Sequence, residues 1–160
     1  MKKLAIALAA MALFGSVAQA ETKQKMVGNW MVQTQEDAFD KGGTAAMITG
    51  NGSFIFAVRC LQKTPSFGVI LPNDKLTNGQ VFNVKLRVDH GDIVEVDGIA
   101  IDEHLIQTEN NFKIWKDLPG GREIAIRLEN EMGVSQTQAF KISGAGSALP
   151  AVTRECPIKD

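Results

Sequence analysis

The chain has no tyrosine and only two histidines, two cysteines and two tryptophans in 160 residues. Neither histidine stands at metal-ligand spacing from a cysteine, which excludes the common zinc arrangements. No sign of charge dominates, since 17 Lys and Arg face 18 Asp and Glu. Without a concentrated basic face there is no basis for nucleic-acid binding, and without blocks of like charge there is none for a charged tail. Internal repeats and linkers are missing too, leaving one domain's worth of globular chain. No Gly-x-Ser-x-Gly elbow is present: Gly144-Ala145-Gly146-Ser147-Ala148 lacks the closing glycine. Nor does a Lys-Ser/Thr pair follow that stretch, as a phosphate loop requires.

The longest apolar run is also short. Residues 4–14 are eleven apolar side chains, against about 20 needed to span a bilayer. Lys2 and Lys3 precede the run, and Gly15, Ser16 and Ala18-Gln19-Ala20 follow it. That is the layout of a secretory signal peptide at 1–20, cut after Ala20. No cysteine follows the cut to carry a lipid, so a soluble exported domain is expected at 21–160, with 15 basic against 18 acidic residues and a charge of −3. The short tripartite signal looks bacterial, which makes the expected destination the periplasm or the medium. In that oxidising setting Cys60 and Cys156 are expected to pair. Closing a loop of about 100 residues adds up to roughly 4 to 5 kcal/mol on the chain-entropy account. A nucleophilic Cys60 or a redox pair is the other use of these residues, although no Cys-x-x-Cys is present.

The rest reads as strands. Phe82, Val84, Leu86 and Val88 alternate with Asn83, Lys85 and Arg87, and Ile124, Ile126 and Leu128 alternate likewise, giving half-buried strands at 82–88 and 124–129. Weaker strand signals cover 30–35, 54–61, 67–71, 93–101 and 136–142. Gly50-Asn51-Gly52, Asn78-Gly79, His90-Gly91-Asp92, Asp97-Gly98, Pro119-Gly120-Gly121 and Met132-Gly133 supply turns. The expected fold is all-β, an antiparallel β-sandwich or barrel with a short C-terminal helix at 147–154, Ser147 as its N-cap and Pro150 in its first turn. Such a helix carries Cys156 back to the strand holding Cys60.

Candidate chemistry is sparse. Glu36, Asp37 and Asp40 precede Gly42-Gly43, but without EF-hand spacing they read as a solvated loop, and no metal or cofactor is expected. His90 follows Asp89, and His104 follows Asp102 and Glu103, the minimum for general-base work. If 93–101 is one extended strand, it holds the two histidines about 30 Å apart and in separate sites; a turn at Asp97-Gly98 would remove that separation. Trp30 reads as core. Trp115 lies in Phe112-Lys113-Ile114-Trp115-Lys116, where alternation puts it beside Lys113 and opposite Phe112 and Ile114. An exposed Trp115 with Lys113 is therefore a candidate partner contact, alongside Glu36 and Asp37.

Ala57-Val58-Arg59-Cys60, then Leu86-Arg87-Val88-Asp89, then Phe140-Lys141-Ile142-Ser143-Gly144-Ala145 and a late Cys156 form a pattern. It resembles small exported bacterial accessory proteins of the type VI secretion-associated VasI kind. Glu36-Asp37 falls where that group carries paired acidic residues, here without a preceding Ser-Pro and with Glu36 in place of an Asp. Gly68-Val69-Ile70-Leu71-Pro72 and the Gly144-to-Leu149 helix start are also similar to the invasion-associated locus B proteins. The resemblance implies a non-enzymatic periplasmic β-protein and strengthens the pairing of Cys60 with Cys156. The expected function is thus that of a periplasmic or secreted binding protein, an accessory to a cell-envelope or secretion assembly with a protein of that apparatus as partner. The alternative is a small-ligand or inhibitor module, with a sheet face or barrel mouth near Trp115 as its site.

Overall fold

A computed structural model describes residues 21–36 and 43–158; the expected signal at 1–20 and the acidic Asp37 and Asp40 lie outside them. Ten strands make one antiparallel sheet: β1 Thr22–Val27, β2 Trp30–Glu36, β3 Gly43–Gly50, β4 Ile55–Leu61, β5 Thr64–Ile70, β6 Val81–Val88, β7 Val94–Ala100, β8 Leu105–Thr108, β9 Glu123–Asn130 and β10 Ser135–Lys141. A short helix α1, Phe112–Asp117, runs into a 3₁₀ turn at Leu118–Gly120, and α2, Ala145–Glu155, follows β10. The sheet order is β1-β2-β3-β4-β5-β8-β7-β6-β9-β10. The first five strands are a meander. The chain then skips two places, returns through β6, β7 and β8 to close against β5, and crosses back by way of α1 to set β9 on the far side of β6.

The sheet folds over so that both halves turn one face inward on a single core. Alternation decides which residues go there: Trp30 and Val32 on β2, Phe56, Val58 and Cys60 on β4, Phe82, Val84, Leu86 and Val88 on β6, Ile124, Ile126 and Leu128 on β9. Each large side chain buried in this way contributes about 1.5 to 3 kcal/mol. A chain of aromatic contacts crosses the core: Trp30 to Phe56 at 6.3 Å between ring centres, Phe56 to Phe67 at 5.8 Å and Phe67 to Trp115 at 5.4 Å.

Closure happens where the turn after β1 meets the chain leaving β10. The amide of Asn29 donates to the Ser143 carbonyl at 2.9 Å, and the indole of Trp30 donates to the Ile142 carbonyl at 2.9 Å. Only glycine fits at this contact. A Cβ on Gly28, at φ +59°, would sit 2.2 Å from the Ser143 oxygen, and one on Gly144, at φ +93°, 2.7 Å from the Val27 oxygen. Turning at Gly144, α2 starts at Ala145 with Gly144 as its N-cap residue. The expected start at Ser147 is therefore two residues late, and Pro150 lies inside the helix rather than in its first turn. Ala148, Leu149 and Val152 face the core, and Glu155 accepts from the Gly43 amide at 3.1 Å. Cys156 then reaches Cys60 on β4, forming the disulfide with 5.7 Å between Cα atoms.

Two expectations are corrected by the structure. Asp97-Gly98 is no turn but the interior of β7, where Gly98 avoids the Ile106 and Val84 side chains that a Cβ would strike at 2.8 Å. The segment around Trp115 is not a strand: Asn111 caps a helical turn by accepting from the amides of Lys113 at 3.0 Å and Ile114 at 3.4 Å. Helical spacing turns Ile114, Trp115 and Leu118 inward, so Trp115 is 4% exposed. Its indole N–H donates to the Asn110 side-chain oxygen.

The staple and the closure can each be tested. Mature protein should show no reactive thiol until reduced, and Cys60→Ala should lower the melting temperature by on the order of 10 °C; thiols that titrate in native, air-exposed protein refute the pairing. Gly28→Ala should destabilise by more than the roughly 1 to 2 kcal/mol cost of a left-handed backbone conformation. Gly133→Ala, at φ +76° with nothing within 4 Å, should show that backbone cost alone. Equal losses in the two variants would remove the closure contact from the account.

Candidate functional site

The two halves of the sheet differ on their outward faces. Register aligns one outward row across eight strands: Met26, Met31, Ile48, Ala57, Gly68, Gln107, Ile99 and Val81. Beside it runs a second row, Ile55, Ile70 and Leu105. Apart from Gln107 this surface is apolar and, at its ends, open to solvent, with Met26 69% and Ile99 45% exposed. Its centre is low, because Ala57 and Gly68 put almost no side chain there and Leu105 leans over Gly68.

One cation stands in this surface. Arg59, on β4 between Ala46 of β3 and Ser66 of β5, extends over Gly68. Its Nη2 donates to Gln107 Oε1 at 3.0 Å and, weakly, to Ser66 Oγ at 3.4 Å. The buried Nε–H has no acceptor among the described residues. Burial pulls the Arg59 pKa down, with the charge of Asp102 acting the other way. The guanidinium stays charged all the same. Asp102 is itself engaged in a turn, where Oδ1 accepts from the amides of His104 at 2.7 Å and Leu105 at 2.8 Å. A partly desolvated guanidinium beside an apolar surface can receive a carboxylate from outside at its terminal nitrogens.

The residues singled out from sequence do not converge on this surface. Glu36 ends β2 and pairs with Lys23 at 3.6 Å, both well exposed. Lys113 lies on the solvent side of α1, held by Asp117 at 2.9 Å and facing Asp92 at 3.6 Å. Its pKa is raised, chiefly by the Asp117 hydrogen bond. Trp115 is in the core.

The histidines lie at opposite ends of β7, and the carboxylates beside them hold turns. Asp89, itself in the left-handed region at φ +49°, accepts from the Glu123 amide at 2.9 Å and the Arg122 amide at 3.1 Å. His104 Nδ1 lies 2.8 Å from the Asp74 carbonyl, which assigns that nitrogen the proton and a donor's role. Among the described residues no group of three or more His, Cys, Asp and Glu side chains is placed to hold a metal ion. No described helix is long and apolar enough to cross a membrane. The signal that points to Arg59 is present in the sequence as a charged residue inside an otherwise apolar strand, Ile55-Phe56-Ala57-Val58-Arg59-Cys60-Leu61.

No family model and no curated protein matches the chain. Among solved structures it is similar to invasion associated protein B from Bartonella henselae, with a TM-score of 0.57 and 14% sequence identity over 82% of this chain and 96% of that one. The two share a fold, in line with the similarity at Gly68 to Pro72 and at the start of α2. The disulfide is consistent with an extracytoplasmic protein.

The turn at Asp89 gives a pH-dependent prediction. The Glu123 and Arg122 amides, with smaller help from the charges of Arg122 and His90, hold the Asp89 carboxyl below the usual aspartate range. Its ionised form therefore stabilises the fold fully above the unfolded value of about 4, and that contribution fades as pH falls through the lower folded value. Asp89→Asn, which keeps the shape and removes the charge, should melt below wild type at pH 7 and approach it toward pH 2. A gap that stays constant across this range contradicts the assignment.

Proposed function

We propose that the protein is a non-enzymatic binding protein of the periplasm or the medium, an accessory to a cell-envelope or secretion assembly, and that the apolar face around Arg59 is its docking surface. The observation that carries this reading is a half-buried, partly desolvated arginine bordering an apolar sheet face. Arginine set against an apolar patch is a typical energetic anchor of a protein interface. The occupant it fits is a protein segment that presents a carboxylate ringed by apolar side chains. A carboxylate placed there pairs with the terminal guanidinium nitrogens while the apolar rim excludes water from the ion pair.

The export signal, the disulfide and the VasI-like motifs support an envelope setting, and so does the likeness in fold to a Bartonella henselae protein named for its association with invasion. The engagement of Asp89 and Asp102 in turns supports a non-catalytic reading of the adjacent histidines. The small-ligand alternative has lost Trp115 as its contact, because that ring is packed against Phe67.

Photo-crosslinking in the native host tests this. A probe at Ile99 or at Ile55 should give the same discrete adduct, and a probe at Thr137, on the other half of the sheet, should not. Arg59→Ala should weaken binding of the captured protein about 30-fold, the effect of losing a hot-spot residue worth about 2 kcal/mol. Asp89→Asn and His90→Ala should leave it unchanged. Adducts that form equally from Thr137, that persist in Arg59→Ala, or that prove to be a second copy of this chain would overturn the proposed surface.

A further inference from the structure

The opposite half of the sheet carries a different surface, and we infer that it holds a binding site for a phosphate group. Register sets Lys85 of β6 directly across from Arg127 of β9. Two like charges facing each other on adjacent strands repel, and natural sheets avoid the pairing unless something offsets it. Arg87 lies two residues along β6 on the same face, opposite Ala125, whose methyl group leaves a dip. The three cations, Ala125, Thr137 and Ile93 surround a depression of about 130 Å³.

The positive charge is only partly neutralised. Glu95 on β7 pairs with Lys85 at 3.4 Å, and Glu123, further along β9, is taken by Lys141 at 3.5 Å. Glu129 points outward one row beyond Arg127, opposite Asn83 and Ser135, and makes no ion pair with it among the described residues. Arg127 Nε donates to Thr137 Oγ1 at 3.0 Å, which orients the guanidinium and, among the described residues, leaves its two terminal nitrogens and the threonine hydroxyl proton without a partner. Arg87 has no carboxylate within 4.0 Å among the described residues.

The geometry selects among anions. One bidentate arginine satisfies a carboxylate, whereas donors converging from two strands suit the several oxygens of a phosphate. Ile93, 58% exposed at the rim, favours a phosphate borne by an apolar body. The shared chemistry is therefore a phosphate group, presented either by free phosphate or by a lipid headgroup. This site is independent of the apolar face around Arg59, so either can fail alone.

The test uses mature wild-type protein at low ionic strength, where such contacts are strongest. Inorganic phosphate is titrated by calorimetry. In parallel, the protein is sedimented with vesicles of phosphatidylcholine alone or of equal parts phosphatidylcholine and phosphatidylglycerol. Saturable binding to phosphate or to the anionic vesicles is expected, weakened about 10-fold by Arg87→Gln and by Arg127→Gln and unchanged by Lys25→Gln. Binding to the vesicles but not to the free ion, lost in Ile93→Ser, identifies the lipid source; binding to the ion alone identifies free phosphate. Arg127→Gln should melt no lower than wild type in phosphate-free buffer, because it removes a repulsion, so lost binding cannot be ascribed to unfolding. Absence of binding to both probes, or full binding by the two arginine variants, would overturn the site.

Discussion

The architecture depends on the backbone contact between the turn after β1 and the turn before α2. Ten antiparallel strands in one sheet would leave both faces open to water, and the sheet could not bury the inward rows of its two halves. Two facing glycines allow the chains to approach within hydrogen-bonding reach, and the Trp30 indole anchors on the Ile142 carbonyl. That contact brings the β2 and β10 ends of the sheet together, so that Trp30 and Ile142 belong to the same core. It also sets the direction in which α2 departs. Starting at Gly144, the helix packs its Ala148, Leu149 and Val152 into the open end of the fold and delivers Cys156 to β4.

Because the inner faces meet each other, the outer faces are free to diverge. Inward positions must be apolar wherever they lie in the chain, whereas an outward residue is constrained only by its strand neighbours and by what it meets outside. In β1 to β5 and β8 one outward row is Met, Ile, Ala and Gly up to Gln107, with Arg59 in the more polar row beside it; along β9, β10 and the middle of β6 the outward residues are mostly Lys, Arg, Glu and Thr. β1 lies at the edge of the apolar half and sets Lys23 and Lys25 along its length, a common protection against pairing with another chain. The apolar row runs across the strands, from Met26 on β1 to Ile99 on β7 and Val81 on β6, rather than along one edge, which favours docking by side chains over strand addition.

Much of the fold is legible in the sequence because long, strongly alternating segments report their own burial. The strands at β6 and β9 are plain from four and three inward apolar residues in strict alternation, and the turns between strands from their glycines. The segments without a clear signal lack such a pattern for physical reasons. β1 is an exposed edge strand with little to bury, β8 has four residues, and β3 carries small Ala45 and Ala46 where a β-branched pair would have signalled a strand. The α1 segment misleads because five residues of alternation fit a strand and a helical turn alike. Asn111 as a cap, Pro119 as a stop and the spacing of Ile114, Trp115 and Leu118 favour the helix.

The surfaces are harder to read than the core, and the reason lies in register. Lys85 and Arg127 are 42 positions apart in the sequence, and each looks like an ordinary solvent-facing residue of its own strand. Only the alignment of β6 with β9 makes them a like-charge pair, and only the smallness of Ala125 and Ala57 gives either surface a depression. Arg59 likewise becomes distinctive once Gly68 and Gln107 are its neighbours, since Gly68 leaves space beneath the guanidinium and Gln107 satisfies one of its nitrogens while Nε goes without among the described residues. Periodicity along one strand identifies which face a residue occupies, but the chemistry of that face depends on which strands lie side by side. Here the skip from β5 to β6 and the return through β8 decide that, by placing the apolar strands together on one half and the basic ones on the other.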